Sequence, residues 1–250
     1  MSRRFAAAGL LRRPGTRWQA GGGAPPLTPP GAPVLLLRES GITEVGSHVA
    51  SWDSEGSNTL RWSAPSAPLR PQLDTVGALT GAKCLASGDY LRSDSAYTIV
   101  KPYVVYALFR VDTWTANRRV LEFATGDHLA YRTSSGQKLA WEQGGVDLIS
   151  TSAIVDGDII SVVVSIQTSG GTNRLYVDGV QEATSSPNAA TPASTVVGIG
   201  ARGTDGVNPS DTTFLEMAQW TFADNAASDA FDMAGLLAYA AQQRTAAGGV

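Results

Sequence analysis

Apolar and polar positions along this 250-residue chain change over in short bursts, and only one stretch shows helical spacing. Runs rich in Val, Ile, Leu, Tyr and Phe stand at 97–100, 103–111, 119–123, 128–132, 138–142, 159–166, 173–177, 195–199 and 214–222, after a first apolar run at 34–37. Turn formers separate them, and such spacing predicts an all-β sandwich or jelly roll rather than alternating βαβ units. Asp178-Gly179, set between Leu175-Tyr176-Val177 and Val180, predicts a two-residue hairpin, because a type I′ turn needs positive φ at both central positions. Ser134-Ser135-Gly136 and Gly170-Gly171 give weaker forms of the same signal.

The exception is the segment of about 229–244. Met233, Leu236, Leu237 and Ala240 fall at i, i+3, i+4 and i+7, which predicts a helix laying an apolar stripe on the sandwich, capped by Ser228 or Asp229. Asp229 and Asp232 suit its positive end and Arg244 its negative end.

Composition supports one β-rich domain. There are 27 glycines and 13 prolines, and only 16% of residues are charged; all-β folds commonly use such a length as one unit. The single cysteine, Cys84, rules out an intrachain disulfide and a site built from paired cysteines, so it reads as a buried structural thiol. No apolar run approaches the roughly 20 residues of a membrane-spanning helix, and no membrane association is expected.

Charge divides the chain. Residues 1–38 carry six arginines and no acid, a formal +6, whereas thirteen basic residues stand against 22 acidic ones in 39–250, a formal −9. Within 1–38, the tract 21–33 places five prolines after three glycines, predicting an extended strap that spans on the order of 40 Å at about 3.1 Å per residue. The expected organisation is an extended anchoring arm, 1–38, and a sandwich domain, 39–250. Arg3, Arg4, Arg12, Arg13 and Arg17 of the arm are interspersed with Phe5, Leu10, Leu11 and Trp18. Apolar residues gain little from a phosphate backbone but fill pockets on a protein shell, so a protein partner is expected over nucleic acid. Residues 1–18 also have the Arg-rich, Ala-rich, acid-free composition of an organelle transit peptide, and a cleaved leader is the alternative to a retained arm.

Val49-Ala50-Ser51-Trp52-Asp53-Ser54-Glu55-Gly56, followed by Arg70-Pro71 and Gly88-Asp89-Tyr90-Leu91, resembles the opening of concanavalin A-like (laminin-G-like) jelly rolls in structural genes of tailed bacteriophages. Leu175-Tyr176-Val177-Asp178-Gly179-Val180, Val197-Gly198-Ile199-Gly200-Ala201-Arg202 and Leu215-Glu216-Met217 follow in the matching order. The resemblance covers roughly 34–245. It implies a jelly roll with a short C-terminal helix, a virion location as capsid decoration or tail component, partners among other virion proteins, self-association on the particle, and binding of host surface glycans.

Catalytic motifs are weaker than their structural alternatives. Gly198-Ile199-Gly200-Ala201-Arg202-Gly203 satisfies GxGxxG, but Thr204-Asp205-Gly206-Val207-Asn208-Pro209 follows where a dinucleotide site needs a helix. No Glu-x-Asp-x-x-Glu string is present, and Glu122 and Glu216 stand without the alternating acids that a glucanase strand carries. His48 and His128 lack a nucleophile elbow and are expected at the surface or in turns. Asp156, Asp158, Asp205 and Asp211 lie in ordinary turn compositions. The expectation is a non-enzymatic protein with no cofactor and no metal. For glycan contact, Trp114 on a predicted loop, with Asp127 and Tyr131, are the candidates; Trp141, within a strand, reads as core.

Overall fold

A computed structural model of the chain describes residues 28–124, 127–132, 136–143, 146–188 and 195–250. Among these residues the strands in chain order are β1 (Leu35–Leu37), β2 (Ile42–Val45), β3 (His48–Asp53), β4 (Arg61–Ser63), β5 (Gln72–Val76), β6 (Leu79–Cys84), β7 (Leu91–Tyr97), β8 (Tyr103–Thr113) and β9 (Arg119–Ala124). They continue as β10 (Asp127–Arg132), β11 (Lys138–Gln143), β12 (Val146–Ile149), β13 (Ile159–Ile166), β14 (Asn173–Val177), β15 (Val180–Ser185), β16 (Thr195–Ile199) and β17 (Asp211–Thr221). Two helices close the chain, α1 (Asn225–Asp229) and α2 (Met233–Ala246).

The strand pairings resolve into two antiparallel sheets. One runs β2-β3-β4-β7-β16-β9-β10-β11-β12, the other β5-β6-β17-β8-β13-β14-β15 with β1 beside the end of β17; a single pair, His48 with Gln72, joins them at a corner. Between the sheets lies one core, with Trp52, Trp62, Trp141, Phe109, Phe123, Phe214, Tyr103 and Tyr131 among its fully buried members. This is an all-β jelly-roll sandwich, as the turn-punctuated pattern predicts.

The second sheet is covered on its outer face as well. Along β8, Tyr103, Val105, Ala107 and Phe109 enter the inter-sheet core while Val104, Tyr106 and Leu108 meet α2 through Leu236, Tyr239 and Ala240. A strand buried on both faces reads as a continuous apolar run, which is why β8 and β13 were legible. The helix packs as its stripe predicts, but the expected single helix from residue 229 is two: Asp224 caps α1 by accepting from Ala227 N, and Asp232, not Ser228 or Asp229, caps α2 by accepting from Gly235 N at 2.8 Å. Removing that acceptor in Asp232→Ala is expected to cost about 1 kcal/mol. A thermal melt should then fall by roughly 2–4 °C; an unchanged midpoint would show that the cap contributes nothing.

The folded body also begins ahead of residue 39. Leu35–Leu37 is wholly buried and pairs with Met217–Gln219 register for register, and the Trp220 indole donates to Pro30 O at 3.0 Å. The expected boundary at 38/39 therefore cuts through packed structure, because an apolar strand that fills an empty position beside β17 belongs to the sandwich whatever the composition around it. Two further sequence expectations change. The run 97–100 is the end of β7 and a loop, and β2 to β6 and β12 lie outside the expected runs, while β15 is the second arm of the expected hairpin. The Asp178-Gly179 turn is as expected, with φ of 50° and 82°. Ser134 and Ser135 lie outside the described residues.

Candidate polar cleft on the outer face of the first sheet

The outer face of β9 to β12 is covered only in part, and its alternation builds the candidate site. On β10, Leu129 and Tyr131 point into the core, so His128, Ala130 and Arg132 point outward; on β11, Leu139 and Trp141 point in and Glu142 points out. Register then sets His128 opposite both Glu122 and Glu142, and Glu142 opposite Asp147. The result is a row of ionisable groups across four strands beside a small cleft of about 100 Å³, lined by Asn117, Arg119, His128, Ala130, Arg132, Glu142 and Asn208.

A loop supplies one wall. Residues 200–209 fold back over the sheet, where Arg119 N donates to Asn208 O at 2.9 Å and the buried Glu122 carboxylate accepts from Gly203 N at 2.8 Å. Such close approach requires glycine: a Cβ on Gly198 would lie 2.3 Å from Ala201 O and 2.4 Å from Gly203 N. The GxGxxG string is thus the sequence of a loop pressed onto a strand, and no helix follows it. Asn117 and Asn208, both at the rim, hold left-handed φ of 57° and 58°, a region that asparagine tolerates better than most residues.

Charges in the cleft are matched. Arg119 donates to Glu122, Arg132 to Glu142, and Arg132 also to Asn117 Oδ1 at 3.2 Å, with Asp147 3.8 Å from the Arg132 guanidinium. His128 Nε2 lies 3.2 Å from Glu142 Oε2, while the buried Nδ1 has no hydrogen-bond partner among the described residues. Burial alone would raise the Glu142 carboxyl, but the hydrogen bond and charge of His128, with Arg132, hold it below the usual carboxylate range. Burial pushes Glu122 up, against the pull of Arg119 and the Gly203 amide. Burial and the neighbouring Glu142 also raise Asp147.

The residues singled out from sequence lie elsewhere. Tyr131 is buried with no exposed surface, its hydroxyl 2.8 Å from Thr212 Oγ1, and Asp127 is buried, accepting from Tyr103 Oη at 2.9 Å. Both sit on the inward face of β10, one residue out of phase with the outward set. Trp114 follows β8 and is half-buried: its ring packs on the core, its indole N–H is buried, and its backbone N donates to Asp156 Oδ1. The arm residues Arg3, Arg4, Phe5, Leu10, Leu11, Arg12, Arg13, Arg17 and Trp18 lie outside the described residues.

His128, expected at the surface, is a buried member of the row, while His48 is half-buried at the start of β3. Trp141 is core as expected, and Cys84 is a free buried thiol raised by burial. The turn aspartates serve structure: Asp158 accepts from Val155 N and Asp205 pairs with Arg202 within their turns, while Asp211 accepts from Ala86 N, distant in the chain. Among the described residues, no group of three or more His, Cys, Asp or Glu is placed to hold a metal ion, and no helix is long and apolar enough to cross a membrane. Sequence reasoning missed the cleft because it sought aromatic platforms; the signal that finds it is the period-2 placement of His128, Arg132 and Glu142 between apolar residues.

No family model matches the chain, and no curated protein matches it. Solved structures do share the sandwich. Domain 4 of AbnA, a GH43 extracellular arabinanase from Geobacillus stearothermophilus solved with arabinotriose, is similar with a TM-score of 0.53 and 13% identity over 68% of this chain and 81% of that one. Trypanosoma rangeli sialidase in complex with sialic acid gives 0.53 and 14% identity, covering 91% of this chain and 35% of the sialidase. The binding domain of botulinum neurotoxin DC in complex with SialylT gives 0.53 and 10% identity over 78% and 49%. This chain spans about a third and a half of the last two, and at these identities the likeness is one of fold.

Proposed function

We propose that the sandwich is a lectin-like module that binds glycans in the cleft of Asn117, Arg119, His128, Arg132, Glu142 and Asn208, without catalysing a reaction. The observation that carries this reading is the convergence of paired donors and acceptors in a cleft beside the 200–209 loop, an arrangement suited to sugar hydroxyls. Domain 4 of the arabinanase, similar over 81% of its length, was solved in complex with arabinotriose, which supports the ligand class. Binding rather than hydrolysis is favoured because the carboxylates are tied to cations: Glu122 to Arg119, and Glu142 to both His128 and Arg132. A hydrolase needs one carboxyl free to give a proton and another free to attack or to activate water.

The module is further proposed to be carried, in several copies, on a phage particle by the basic arm. The ordered motif series and the +6/−9 charge division support that placement. On a glycan array, the wild-type protein is expected to retain a defined set of oligosaccharides, and Arg132→Ala to weaken retention at least tenfold, about 1.4 kcal/mol. A blank array would sink the glycan reading, and release of reducing sugar from a retained glycan would make the protein a hydrolase. Sedimentation of the native chain beside one lacking residues 1–27 tests the second half. Arm-dependent co-sedimentation with large particles is expected, and two small species at the top of the gradient would favour a free lectin.

A further inference from the structure

We infer that the cleft selects uncharged, hydroxyl-rich sugar residues and rejects sugars bearing a carboxylate. The inference rests on the glycan-binding reading and adds to it the charge class of the ligand. A site built for an anion leaves a cation unmatched. Here Arg119 is matched by Glu122, and Arg132 by Glu142 with Asp147 beside it. Three carboxylates thus surround two guanidinium groups, and a proton on His128 would do no more than bring the row to neutrality. An incoming carboxylate would have to displace Glu142 from Arg132 and His128 and then lie next to it, a like-charge contact in a partly dehydrated site.

A sugar hydroxyl meets no such obstacle. Each carboxylate oxygen has about two acceptor positions; Glu142 Oε1 uses one on Arg132 and Oε2 one on His128, leaving one on each. The Arg132 guanidinium retains N–H groups beyond those engaged by Glu142 and Asn117. Adjacent hydroxyls of one ring can therefore donate to Glu142 and accept from Arg132 with the ion pairs intact. At about 100 Å³ the cleft is well below the roughly 300–1,000 Å³ of pockets for drug-sized ligands, so no more than one ring of a glycan seats in it.

The test is an array of neutral oligosaccharides, each beside its sialylated counterpart, followed by titration calorimetry of the best pair at 50 and 500 mM NaCl. The neutral member is expected to bind at least tenfold more tightly, with less than a twofold change between the two salt concentrations, and Glu142→Gln to narrow that preference by relieving the repulsion. Tighter binding of the sialylated member, weakening steeply with salt, would overturn the charge inference while leaving the glycan-binding reading standing. Retention of neither class would remove both. Should Glu142→Gln fold poorly, the wild-type comparison at two salt concentrations decides alone.

Discussion

The Gly198→Ala variant is expected to melt roughly 2–12 °C below the wild type and to lose glycan retention together with stability. Its new methyl group would stand 2.3 Å from Ala201 O and 2.4 Å from Gly203 N, distances at which backbone must move. Overpacking of this kind costs about 1–3 kcal/mol, and in a domain of this size each kcal/mol lowers the melting midpoint by about 2–4 °C. Relief comes from lifting the 200–209 loop. That movement breaks the hydrogen bond that the Gly203 N–H donates to Glu122 and withdraws Asn208 from Arg119, leaving a buried carboxylate short of a donor and the cleft without a wall. Loss of retention in a variant that melts normally would also fit a displaced loop. A variant that both melts and binds like wild type would mean that the loop does not press on the strand.

How much of this was legible in the sequence depended on how many faces of a strand are dry. The strands β8, β13, β14 and β16 carry enough Val, Ile, Tyr and Phe to announce themselves, because each presents at least one continuous apolar face. The strands β2 to β6 did not. Ile42–Val45 is largely exposed, and Gln72–Val76 buries only Val76 fully; an edge strand held by backbone pairing leaves little side-chain pattern. The cleft was hidden for a related reason. His128, Arg132 and Glu142 sit in strands that were correctly expected, but only the pairing register sets them opposite one another, and register between strands is a tertiary fact. Asp127 and Tyr131 were chosen for their chemistry, one step out of phase on the same strand, and a slip of one residue on a strand exchanges surface for core.

A Glu216→Gln variant is expected to overtake the wild type in stability as pH rises. Glu216 sits one residue after a register shift between Phe214 and Glu216 on β17; the extra residue turns its side chain toward α2 instead of the inter-sheet core. There its carboxyl meets Tyr106 Oη of β8 at 3.2 Å and Tyr239 Oη of α2, with Arg38 as the charged group whose field reaches it. Burial pushes the carboxyl up from 4.5 to about 7, against the two tyrosine hydroxyls and Arg38. Below about pH 4.5 the folded and unfolded chains both hold the proton. Between 4.5 and about 7 the unfolded chain has released it and the folded chain has not, so rising pH favours unfolding; above that window both are ionised and the loss is complete. The interval corresponds to about 3 kcal/mol. Glutamine keeps an acceptor for one tyrosine and cannot ionise, so unfolding free energies measured by denaturant titration should give a wild-type-minus-variant difference that falls by about that amount from pH 5 to 8. Two curves running parallel across the window would show that the buried carboxyl is ionised throughout, and that α2 is docked over a charge rather than over a neutral acid.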